Sequence, residues 1–110
     1  VTVVMENRDV TSSTVPRRTS LVMHGNQPNP FNPKTSISFY LPEERRTTVQ
    51  VYDAFGRVVR TLATDRTMHG EVSLEWDGTD DRGGTVASGV YFARVSAGEW
   101  TASHKMVLSK

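Results

Sequence analysis

From residue 20 onward, apolar and polar positions alternate with a period of two, and no 3.6-residue stripe is long enough for a helix. The pattern predicts an all-β chain. Leu21 to His24 makes a first short strand. Ile37, Phe39 and Leu41 then point one way with Ser36, Ser38 and Tyr40 opposite, and Pro42, which has no N–H to donate, is expected to end the run. Val49 and Val51 alternate with Thr48, Gln50 and Tyr52, after which Asp53-Ala54-Phe55-Gly56 turns the chain into an arm from Arg57 to Leu62. That arm sets Val58 and Val59 among arginines, the composition of an exposed edge kept soluble by charge. Val72, Leu74 and Trp76 form the cleanest inward row, against Glu71, Ser73 and Glu75. Val90 to Val95, a turn at Ala97-Gly98, and a last strand with Trp100, Ala102, Met106 and Leu108 on one phase complete the set. About seven short strands at this spacing predict an antiparallel β-sandwich.

One stretch breaks the alternation. Asn26 to Pro33 reads NQPNPFNP, with three prolines and three asparagines in eight positions. Proline cannot donate to a ladder and fixes its own φ, while the residue before it is pushed toward extended geometry. The stretch is therefore expected to be a rigid, non-pairing corner between the two sheets, with asparagine side chains bonding local backbone and Phe31 anchored in the core. Each X–Pro bond is expected to be trans. Upstream, Asn7 to Ser20 offers few apolar residues to offset the entropy of ordering, which is linker chemistry. The division is thus residues 1–19 as linker or tail of a preceding domain, and residues 20–110 as the sandwich. Val1 to Met5 is β-branched and reads either as the last strand of that preceding domain or as a strand for an exposed edge.

With 110 residues, one modest core is possible and two are not. A net charge of +1 supplies no basic field to steer the chain onto nucleic acid or an anionic membrane. There is no cysteine, hence no disulfide framework and no thiolate metal site. No apolar stretch reaches the length of a membrane span. The first residues lack the basic start and cleavage site of an export signal, so any such signal is expected upstream in a longer polypeptide.

Candidate chemistry is sparse. Asp77 to Gly84 gathers three carboxylates and a threonine like a calcium loop, but counting from Asp77 the sixth and twelfth positions hold Arg82 and Ser88 instead of glycine and a bidentate acid. A turn in which Asp and Gly supply side-chain bonds and positive φ is the favoured reading. His24, His69 and His104 are scattered without ligand spacing. There is no nucleophile elbow, phosphate loop, dinucleotide fingerprint or zincin motif, so no catalytic residue, metal ligand or cofactor is assigned. Among the aromatics, Trp76 is in phase with the core, Trp100 lies near a turn, and Tyr40 is out of phase; one aromatic does not make a carbohydrate platform. Gly89-Val90-Tyr91 opens a strand with a flexible residue and a tyrosine placed to bond nearby backbone, as in the tyrosine corner of sandwiches. Lys105 and Lys110 clamp a final apolar strand, which the bland reading makes a solubilised edge.

Taken in order, Pro28-Asn29-Pro30-Phe31-Asn32-Pro33, Ile37-Ser38-Phe39-Tyr40-Leu41-Pro42, Val51-Tyr52-Asp53-Ala54-Phe55-Gly56-Arg57, Trp76-Asp77-Gly78-Thr79-Asp80, Gly89-Val90-Tyr91-Phe92 and the Lys105 to Lys110 ending resemble the C-terminal sorting domain of the type IX (Por) secretion system. They are similar also to the immunoglobulin-like domain of flagellar hook-capping proteins. The resemblance covers about Ser20 to Lys110, and it departs at Gln27 and Ser109, where an aromatic and an aliphatic are usual. It implies an immunoglobulin-like β-sandwich and a delivery function. Such domains ride behind an N-terminal cargo domain in Bacteroidota-type bacteria, pass through the periplasm to the outer-membrane translocon and its shuttle proteins, and are commonly removed by a sortase-like protease at the cell surface, which joins the cargo to anionic lipopolysaccharide. By the family's pattern, Pro28, Asn29, Pro30, Gly89, Tyr91, Lys105 and Lys110 would mark recognition, cleavage would fall in the linker, and a chain stopping after its last strand would fit a terminal tag. The expected mechanism is that the translocon reads the edge of the last two strands, where unpaired backbone groups give affinity and the two lysines give register. A hook-cap-like structural module and a carbohydrate-binding accessory domain are the competing readings; enzymatic activity ranks last.

Overall fold

A computed structural model describes residues 20–110, and among them there is no helix. The Val1 to Met5 segment and the linker lie outside the described residues. Five strands form: β1 Val22–Gln27, β2 Thr35–Asp53, β3 Val58–Trp76, β4 Gly89–Ala97 and β5 Trp100–Leu108. Every strand pairing is antiparallel. The ladder is continuous and curls on itself because β2 and β3, at 19 residues each, serve two layers. The first part of β2 lies between β1, with Phe39 opposite Met23, and the end of β3, with Ile37 opposite Leu74. Its second part lies between β4, with Val49 opposite Val95, and the start of β3, with Val51 opposite Arg60. β5 extends the second layer beside β4. Counted as straight segments, this is the sandwich of about seven strands that the alternation predicts; two pairs of segments are fused into bent strands.

Pro42 does not end its run. β2 passes through it because pairing to β3 skips from Leu41 to Arg45, so no partner carbonyl waits for the N–H that proline lacks. A second irregularity sets two residues of β3, Thr64 and Asp65, opposite Thr48, and Asp65 takes the left-handed φ of 50° that such a bulge requires. The Asp65 N–H donates to the Thr48 hydroxyl at 3.0 Å, which satisfies the donor the bulge displaces.

The alternating rows meet between the layers. Ile37, Phe39, Leu41 and Trp76 face Val49, Val51, Ala93, Val95, Met106 and Leu108, all fully buried or nearly so. Burying each larger side chain contributes about 1.5–3 kcal/mol. The two buried threonines are satisfied: the Thr35 hydroxyl donates to the Pro28 carbonyl at 2.8 Å, and the Thr47 hydroxyl to the Arg45 carbonyl at 3.0 Å.

The proline corner departs from expectation in two respects. Phe31 is anchored in the core as expected, at 2 % exposure, yet the corner pairs. The Phe31 N–H donates to the Val107 carbonyl at 3.0 Å and the Ser109 N–H donates to the Phe31 carbonyl at 2.9 Å, a parallel bridge against β5. The prolines stay out of the ladder, but the residues between them do not. The Gln27–Pro28, Asn29–Pro30 and Asn32–Pro33 bonds are all cis where the sequence alone favours trans; in an ordered loop the tertiary contacts of the flanking residues select the isomer.

Candidate functional site

The residues singled out by the sequence converge on the C-terminal half of β5. Asn29 reaches it with its side chain: Oδ1 accepts the Val107 N–H at 3.0 Å, and Nδ2 donates to the Lys105 carbonyl at 3.4 Å. Pro28 is held from the other side, its carbonyl accepting from Thr35 and, at 3.2 Å, from Asn26 Nδ2. Pro28, Asn29 and Pro30 therefore form an exposed ridge strapped to the last strand. On the far side of β5, Gly89 lies opposite Leu108 and Tyr91 opposite Met106. Lys110 folds back, with its N–H donating to Ser88 Oγ at 3.1 Å and its ammonium donating to the Val86 carbonyl. Lys105 and Lys110 are both exposed.

Tyr91 is different in kind, because it is buried. Its hydroxyl donates to the Ala87 carbonyl at 2.6 Å, the tyrosine-corner bond expected from the sequence. Burial, with a further contribution from the Asp53 charge, pushes its phenol above the usual tyrosine range. The ring packs edge-on to Trp76, with centroids 5.3 Å apart, and Trp76 in turn lies 5.5 Å from Phe31. The Trp76 indole N–H donates to the Thr79 carbonyl at 2.8 Å. This aromatic triad carries the corner and the last strand as one unit. Gly78 completes it: with φ 78° it is in the left-handed region, and a Cβ there would meet the Pro33 carbonyl oxygen at 3.1 Å.

The strap corrects one expectation directly. The Lys105 carbonyl, the Val107 N–H and carbonyl, and the Ser109 N–H, which point away from β4, already have partners in Asn29 and Phe31. By the period of two, Thr101, Ser103 and the Lys105 N–H present groups on that edge for which the described residues supply no such partner. The end of β5 is thus a closed surface displaying two ammonium groups, and not an open edge. Sequence reasoning placed Phe31 in the core but missed the backbone pairing of Phe31 and the bonds of Asn29. The available signal was an amide side chain, carrying both a donor and an acceptor, set between residues that lack an N–H.

The acidic loop behaves as a turn. Asp77 Oδ1 accepts the Thr79 hydroxyl at 2.5 Å and the Thr79 N–H at 3.2 Å, and the Thr79 hydroxyl bond leads in holding its carboxyl below the usual carboxylate range. Asp80 Oδ1 accepts the Arg82 and Gly84 N–H groups, both at 2.9 Å, and Asp81 Oδ1 accepts the Thr61 N–H at 2.9 Å. Among the described residues no group of three or more histidines and acids is placed to hold a metal ion. Trp76 has no accessible surface, and Trp100 lies under the Arg45 guanidinium at 3.7 Å.

A two-layered antiparallel sandwich with a tyrosine corner is the architecture of an immunoglobulin-like module. The FlgD Ig-like domain model matches residues 25–100, well over half of the chain, and the chain belongs to that family. No curated protein matches it. Among solved structures, dimeric latent PorU from Porphyromonas gingivalis is similar over 81 % of this chain at a TM-score of 0.62 and 16 % identity. PorZ, described as an essential bacterial surface component of the type-IX secretion system of the same organism, is similar over 80 % at a TM-score of 0.57 and 21 % identity. The chain spans only 9 % and 11 % of those two proteins, and at such identities the likeness is one of fold.

Proposed function

We propose that the domain is a sorting module, recognised by the type IX translocon and its shuttle proteins as an address for an N-terminal cargo domain, and that it performs no catalysis itself. The observation that carries this reading is the convergence of Asn29, Gly89, Tyr91, Lys105 and Lys110, up to 81 positions apart in sequence, on one half of one strand. Folding alone requires a filled core; it does not require two exposed lysines around a strand end that is hydrogen-bonded on both sides. The fold likeness to PorU and PorZ supports the same system, since PorZ is itself a type-IX component. The recognised feature is then a rigid composite of corner, strand and ammonium groups, which reads orientation through charge more than through backbone addition. Delivery runs through the periplasm to the cell surface, where a sortase-like protease cuts within the linker.

The test is a reporter fused to residues 20–110 in a bacterium with a working type IX system. Surface display that is lost on removal of Lys105 to Lys110 supports the reading; display in a strain lacking the translocon contradicts it. Membership of the FlgD Ig-like family favours a second reading, a structural module resembling the hook cap, which predicts that the domain lies inside a longer assembled polypeptide.

A further inference from the structure

The turn joining β2 to β3 holds Phe55 in water at 86 % exposure, with Val58 beside it at 46 %. A large ring left out on a built turn calls for an explanation, whereas one on a loose loop would not. This turn is built. Asp53 Oδ1 accepts the Phe55 and Arg57 N–H groups at 2.9 and 3.0 Å, Oδ2 accepts Arg57 Nε at 2.9 Å, and the Gly56 N–H donates to the Asp53 carbonyl at 3.0 Å. Those bonds, with the one from the Arg57 N–H leading, keep the Asp53 carboxyl below its usual range and so ionised.

Next to the turn opens a cleft of about 370 Å³ whose lining mixes three valines, Val58, Val59 and Val86, with charged groups of the turn and of the Asp80-Asp81-Arg82 segment. Asp80 and Asp81 use Oδ1 for backbone N–H groups, and neither makes an ion pair with Arg82. Among the described residues, one patch therefore carries an exposed ring, a cleft with three valines in its lining, Asp80 and Asp81 oxygens outside any ion pair and an Arg82 guanidinium in none. A patch with both members of each complementary pair meets the chemical condition for an isologous two-fold contact.

We propose that this end of the sandwich is a self-association surface, on which a second copy of the chain seats its Phe55 ring against the valines of this cleft and sets its Arg82 against Asp80 and Asp81, reciprocally. A buried aromatic flanked by arginine is the composition that dominates interface energetics. The patch is small, so the dimer is weak and its arginine contacts are sensitive to salt. The inference does not depend on the sorting role, and its readout involves no export.

The experiment is sedimentation velocity on the 110-residue chain from ~10 µM to ~1 mM, at low and high salt. The wild type is expected to pass from monomer to dimer, with salt shifting the midpoint upward. Phe55→Ala and Arg82→Glu each alter an exposed side chain and are expected to keep the β circular dichroism and Tm while weakening association about tenfold or more. A wild type that stays monomeric throughout overturns the proposal, as does a dimer that neither variant weakens; either result would leave the patch to a partner of different sequence.

Discussion

The Val107 N–H donates to the side-chain oxygen of Asn29 at 3.0 Å across 78 positions of sequence. Together with the Asn29 bond to the Lys105 carbonyl, this makes an asparagine side chain imitate a strand where two prolines prevent one. The last strand is thereby paired on both sides over its second half, and the two lysines stand on a fixed support.

Replacing Asn29 with Ala should cost about 1–2 kcal/mol, because two bonds to an otherwise capped edge are lost at a site water can reach. Urea unfolding checks the magnitude, and amide exchange at Val107 should accelerate. Asn29→Asp keeps the acceptor for Val107 and loses only the donor to Lys105, so it should cost less. Equal losses for the two variants would mean that the strap works through the Lys105 carbonyl alone.

Phe31→Ala removes the ring between the corner and Trp76 and should cost about 3–5 kcal/mol, the range for truncating a fully buried aromatic. Trp76 emission should shift to longer wavelength as water enters. A loss below about 1 kcal/mol would show that the corner does not anchor through this ring.

Tyr91→Phe deletes the bond to the Ala87 carbonyl and should cost about 1 kcal/mol at neutral pH. The pH dependence carries a sign. The folded phenol is shifted above the value of about 10 that it has in an unfolded chain. Both states are therefore protonated below that value and the contribution is complete. As pH rises from about 10 through the higher folded value, the unfolded state loses its proton first and stability falls. The Phe variant should flatten this alkaline decline; an unchanged slope would place it on other groups.

Much of the fold is legible in the sequence because burial on one face of a strand writes itself as alternation. The rows Ile37, Phe39, Leu41 and Val49, Val51 are buried as the pattern predicts, and Phe31 and Tyr91 take the places their neighbours imply. Pro42 misleads because a proline ends a strand only where a partner needs its N–H, and a bulge two strands wide is not written locally. The corner misleads for a related reason. Whether Asn29 and Phe31 pair depends on what lies beside them, and their partners at positions 105–109 are remote in sequence. Phe55 is the converse case: the sequence places it in the turn Asp53-Ala54-Phe55-Gly56, and the Asp53 bonds that hold this turn leave its ring outside.

The central claim is that Lys105 and Lys110, on their strapped strand, are read as an address. Reversing both charges, with Lys105→Glu and Lys110→Glu, touches exposed side chains and spares Met106 and Leu108 in the core. The decisive measurement is surface display of a reporter fused to residues 20–110 carrying both changes, alongside the Tm of the isolated chain. The account predicts an unshifted or slightly lowered Tm with display reduced about tenfold or more and reporter retained in the periplasm. A folded double variant displayed as well as the wild type would contradict it.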